Sequence, residues 1–93
     1  EVDSGIGGET AIGVGKLLRK FAKQHQTICV THLAQIASQA QEHFLIEKKE
    51  HKKRTLTLIT KLDSEMRKQE IARMLGGSKL GKSTQALAEE ILI

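Results

Sequence analysis

Thr27-Ile28-Cys29-Val30-Thr31 is the segment that most restricts the fold. It is short, continuously apolar at its centre and rich in β-branched residues, the pattern of a strand covered on both faces in a parallel α/β sheet. Such a strand needs a parallel partner. Residues 1–8, Glu-Val-Asp-Ser-Gly-Ile-Gly-Gly, have no helical or strand period and read as a loop. The partner is therefore expected just before Glu1, and a chain starting there without methionine reads as a piece of a longer protein.

The remaining periods fill out an α/β order of loop, helix, strand, helix, hairpin, helix, helix. Ala11, Val14, Leu17, Leu18, Phe21 and Ala22 recur at helical spacing and predict a helix over 9–25. Its Lys16, Arg19, Lys20 and Lys23 fall on the other face or near the carboxyl end, where they suit the helix dipole. Leu33, Ile36, Ala37 and Ala40 mark a short helix after the strand. Strands at 44–48 and 55–60, separated by a charged tip at 49–54, form an antiparallel hairpin, with Leu56, Leu58 and Leu62 on one face. Asp63 or Ser64 caps a helix carrying Met66, Ile71, Met74 and Leu75, which Gly76-Gly77 ends. Ser83 or Thr84 opens a last helix with Leu87, Ile91 and Leu92 on its stripe.

Composition narrows the classes. At 93 residues, with 39 % hydrophobic and 28 % charged, the chain fits one small globular domain and not a disordered segment. No apolar run approaches the ~18 residues of a bilayer span, and no signal-peptide pattern opens the chain, so a soluble, cytoplasmic protein without membrane contact is expected. Cys29 is the only cysteine and reads as a small core hydrophobe; His25, His32, His43 and His51 have no metal spacing with it, so no metal site is expected. Net charge +4 permits contact with nucleic acid or nucleotide phosphate without demanding it. Phe21 and Phe44 are the sole aromatics, which argues against a single-strand reader built on stacking.

Three features invite chemistry, and each has a plainer explanation. Gly76-Gly77-Ser78-Lys79-Leu80-Gly81-Lys82-Ser83 satisfies G-x-x-x-x-G-K-[ST], the phosphate-cradling loop. A true loop leaves a buried strand, whereas the charged, helical 65–75 precedes this one, so a helix stop and a new cap explain it. Glu1, at a strand end before a glycine-rich turn, can polarise water, yet a surface loop explains it as well. His32 follows the 27–31 strand at the sheet edge where α/β folds place ligands, although a satisfied structural histidine fits that position too. Two such groups joined by one helix can meet on one sheet edge. A Ser4–His32–Asp3 hydrolytic arrangement lacks the strained elbow such nucleophiles use. The 48–54 tip can touch DNA phosphates, or be a solvated hairpin end.

Taken together, the opening Glu1-Val2-Asp3-Ser4-Gly5-Ile6-Gly7-Gly8, then Cys29-Val30-Thr31-His32-Leu33-Ala34-Gln35-Ile36-Ala37, then Ala72-Arg73-Met74-Leu75-Gly76-Gly77, resemble the carboxy-terminal part of the RecN family. These are bacterial DNA double-strand-break repair proteins related to the structural-maintenance-of-chromosomes ATPases. The resemblance implies part of an ABC-type, P-loop NTPase-like ATPase head, a single domain over 1–93. It divides into a catalytic-glutamate and D-loop segment at 1–8, a switch-histidine strand at 27–32, a hairpin at 43–61 and carboxy-terminal helices at 64–93. It implies that Glu1 is the catalytic glutamate and that His32 approaches the γ-phosphate of ATP. Asp3, Ser4 and Gly5 fall in the loop that crosses a head dimer.

The resemblance implies, as partners, the remainder of the same head, a second head in a homodimer, and DNA, in a nucleoid-associated protein. The family's phosphate loop, signature motif and metal-binding aspartate lie outside this chain, so ATP and Mg2+ are expected to act in the intact protein and the 93 residues alone to be inactive. Two rival readings remain at this point. One is a small basic DNA-binding module using the Lys48–Arg54 tip and nearby lysines, whose binding fails when Lys52, Lys53 and Arg54 are neutralised. The other is a self-contained nucleotide-binding domain using residues 76–83, with Lys82 essential.

Overall fold

The structure is a computed structural model that describes residues 7–76 and 82–92. It contains α1 (Gly8–Ala22), α2 (Ala34–Ala37), β1 (Phe44–His51), β2 (Arg54–Lys61), α3 (Ser64–Gly76) and α4 (Lys82–Ile91). The chain is mixed α/β, a two-stranded antiparallel hairpin with helices before and after it.

α1 begins where the Gly7 carbonyl accepts the Ala11 N–H at 2.8 Å. Glu9 in its first turn and Arg19 and Lys20 in its last complement the backbone dipole. Its final amides, Lys23 and Gln24, reach back only three residues to Lys20 and Phe21, tightening the end. Ala11 and Gly15 are buried, and Gly15 lets α1 close on α2. A Cβ built there would stand 2.8 Å from the Gln35 carbonyl oxygen and 3.3 Å from the Ile36 Cα. Only a residue without a side chain permits that approach.

α3 and α4 pack together, and α2 joins them. The core is small: Ala34, Ala37, Ile71, Ala72 and Ala88 are buried, with Met74, Leu75, Ile91 and Leu92 packed partly buried around them. Ile71 is the largest apolar side chain fully enclosed among the described residues. Asp63 caps α3, its Oδ1 accepting the Met66 N–H at 2.8 Å. Lys68 on α3 pairs with Glu89 on α4. Buried Glu70 is satisfied by Arg73 one turn along the same helix.

The hairpin is longer and tighter than its sequence predicts. β1 and β2 pair from Phe44 opposite Lys61 to His51 opposite Arg54. Two residues, Lys52 and Lys53, make the turn with φ of 50° and 63°. Both positive values belong to the type I′ geometry that matches strand twist, which asparagine and glycine adopt more readily than lysine. Ile46 faces Ile59, and Glu47 faces Leu58. Phe44, Ile46, Leu56, Leu58 and Ile59 are all exposed, so apolar residues lie open on both faces of the ribbon.

The segment 27–31 corrects the expected buried parallel strand. It has no regular structure, and Ile28 is 87 % exposed. A strand exists through its ladder, and among the described residues β1 and β2 pair with each other and no third strand lies beside 27–31. Cys29, expected in the core, is half-buried on this segment.

Candidate functional site

His32 lies on the bend between the 27–31 segment and α2, and is exposed. Its neighbours fix the bend. The Thr31 Oγ1 accepts the Leu33 N–H at 3.0 Å, a hydroxyl turn that sets the chain direction into α2. The Leu33 carbonyl then accepts the Ile36 and Ala37 N–H groups at 3.1 and 3.0 Å, opening the helix. A side chain presented from such a bend is positioned by backbone and remains accessible.

Glu1, Asp3, Ser4 and Gly5 lie outside the described residues. What the structure does give is the frame to which their segment attaches. Residues 1–6 lead into α1, the His32 bend leads into α2, and α1 and α2 meet at Gly15. Of the apparent phosphate loop, 77–81 also lie outside the described residues; Gly76 ends α3 and Lys82 begins α4.

Behind α2, Arg67 of α3 acts as a clamp. Its Nη2 donates to the carbonyls of Ala37 at 3.2 Å, Ser38 at 3.1 Å and Ala40 at 2.6 Å. These carbonyls close the helix, where a cation also meets the negative end of the dipole. Burial lowers the Arg67 pKa from its ordinary value. His43 lies close by, its Nδ1 buried without a hydrogen-bond partner among the described residues. Burial, with the Arg67 charge next, pushes the His43 pKa down, while Glu70 pulls it up.

Sequence reasoning passed over Gly15 and Arg67, the two residues that hold the frame. Gly15 was hidden among eight glycines. Arg67 sits in a charged stretch that reads as a solvated helix face. A glycine on the apolar stripe of α1 was the one available signal.

Among the described residues, no group of three or more His, Cys, Asp and Glu gathers to hold a metal ion. No helix there is long and apolar enough to cross a membrane.

No family model matches the chain. Among curated proteins it is 48 % identical over 93 residues to the DNA repair protein RecN of Vibrio cholerae, covering 100 % of this chain and 17 % of that protein. It is 46 % identical over 92 residues to the DNA repair protein RecN of Xylella fastidiosa strain Temecula1, covering 99 % and 16 %. To the protein of the same description in Treponema pallidum it is 40 % identical over 92 residues, covering 99 % and 16 %. The chain thus spans about a sixth of the length of these relatives.

Proposed function

The chain belongs to the RecN family of DNA repair proteins, and on that premise we propose that it is part of an ATPase head acting in double-strand-break repair and recombination. Glu1 orients or deprotonates the water that attacks the γ-phosphate. His32 contacts that phosphate and reports its presence. Asp3, Ser4 and Gly5 couple two heads across a homodimer. Phosphoryl transfer rests on such positioning and charge stabilisation, so no covalent intermediate is required. The rest of the head supplies the groups that hold ATP and Mg2+, and none of the 93 residues is assigned as a metal ligand.

One observation carries this reading. Two of the three segments that carry the resemblance, 1–8 and 29–37, run into α1 and α2, and these two helices close on each other through Gly15. Glu1→Gln in the full-length protein is expected to slow ATP hydrolysis while sparing ATP binding. His32→Ala is expected to do the same. Normal turnover by both variants overturns the assignment. Magnesium-ATP titrated into the 93-residue chain is expected to show no binding by calorimetry. Tight binding that Lys82→Ala abolishes would instead make residues 76–83 a genuine phosphate loop.

A further inference from the structure

Four cations, Lys16, Arg19 and Lys20 of α1 and Lys23 at its C-cap, line one open depression of about 520 Å³, and Gln39 lines it as well. Their spacing of three and four residues puts them on a single face. At roughly 100° per residue, that face lies next to the buried one that carries Ala11 and Gly15. The contact at Gly15 accounts for Gln39: a Cβ there would stand 3.1 Å from the Gln39 Cγ. The close approach of α1 to α2 is what brings a neutral amide to the rim of a cationic face.

None of the four cations makes an ion pair among the described residues, whereas Lys61, Lys68 and Arg73 each have a carboxylate. Glu9 is the single acidic residue of α1, and it lies in the first turn. Like charges three and four residues apart destabilise a helix, and among the described residues no carboxylate pairs with them; the helix dipole at the last turn is their one offset. A polyanion would supply another.

We propose that this face of α1 holds the phosphodiester backbone of duplex DNA. The proposal rests on the family's place in DNA repair and not on the ATPase reading. From Lys16 to Lys23 the helix rises about 10 Å, at ~1.5 Å per residue. Along one strand that is the axial rise of about three phosphates, at ~3.4 Å each. A row of cations of that length can reach neighbouring phosphates of one strand, and no aromatic lines the depression to stack an unpaired base. The Phe21 ring lies elsewhere, stacked on His25 with centroids 4.3 Å apart. The contact is to backbone and carries no sequence preference.

The test measures binding of a mixed-sequence duplex, and of one of its strands, to the full-length protein by fluorescence anisotropy across a salt series. A variant combining Lys16→Gln, Arg19→Gln, Lys20→Gln and Lys23→Gln is expected to bind the duplex at least ten-fold more weakly. Its slope of log affinity against log salt should fall by about 3, near the ~0.9 expected for each phosphate no longer neutralised. Replacing the three lysines by arginine should preserve both. Gln39→Glu, which leaves α1 untouched, should weaken duplex binding too, and covers the case in which the four-fold variant fails to fold. ATP turnover without DNA should stay unchanged in every variant, so loss of it points to misfolding or to the head, not to this face. An unchanged slope in the four-fold and Gln39→Glu variants overturns the proposal. So does a loss confined to the single strand, or one seen only on neutralising Lys52, Lys53 and Arg54.

Discussion

Arg67 reaches 27 residues back along the chain to hold the Ala40 carbonyl at 2.6 Å, with the Ala37 and Ser38 carbonyls on the same nitrogen. Removing it leaves the Ser38 and Ala40 carbonyls without that donor, while the Ala37 carbonyl keeps the Ala40 N–H. Arg67→Ala is expected to lower stability by about 2 kcal/mol, in line with hydrogen bonds from a charged group. Lysine has the charge but not the planar fork, so Arg67→Lys should recover less than half. Urea unfolding of the three proteins checks both.

The glycines of α1 should respond in opposite directions. At Gly15 an added Cβ meets backbone that cannot yield, so Gly15→Ala should cost about 1–3 kcal/mol despite alanine's better helix propensity. At Gly13 it meets nothing within 4 Å, and Gly13→Ala should gain about 0.5–1 kcal/mol. Thermal unfolding of the pair gives the two signs directly.

His43 should make stability depend on pH in a definite sense. Its folded pKa lies below the ordinary 6.5, so the unfolded chain takes up the proton first as pH falls. Stability is complete above 6.5, declines below it, and levels off once the folded group also titrates. His43→Gln should flatten that decline, which urea midpoints at about pH 7.5 and about pH 5.5 on either side of the unfolded pKa would register.

The turn at Lys52 and Lys53 offers a gain. Their positive φ values place side chains where glycine and asparagine rest more easily. Lys52→Asn with Lys53→Gly should raise hairpin stability by about 1 kcal/mol, the lower end of such backbone strain. Amide exchange along β1 and β2 reads the change.

How far a sequence discloses its fold depends on whether the deciding partner is near in the chain. α1, expected over 9–25, runs Gly8–Ala22 because its apolar spacing and dipole pattern are local. The hairpin and the Asp63 cap are local too. The 27–31 segment has as good a strand pattern as β2, yet a strand depends on a neighbour that no local pattern contains. The same limit hid the clamp, whose ends are a whole hairpin apart in the chain. Of the candidate site, His32 was legible as a residue beside a turn, and the Thr31 hydroxyl gives that turn its physical cause. For Glu1, Asp3, Ser4 and Gly5 the family resemblance is the whole of the case, since they lie outside the described residues.

α2 is one turn long. A helix of four residues cannot meet the cost of its own nucleation, so it exists only while something outside it holds the turn closed. The holders are α1 at Gly15 and α3 through Arg67. The Ala37 and Ser38 amides, bonded to Leu33 and Ala34, should therefore exchange with solvent only when a neighbouring helix lets go. The bend that presents His32 thus opens and closes together with helices on both sides of it, as part of one cooperative unit.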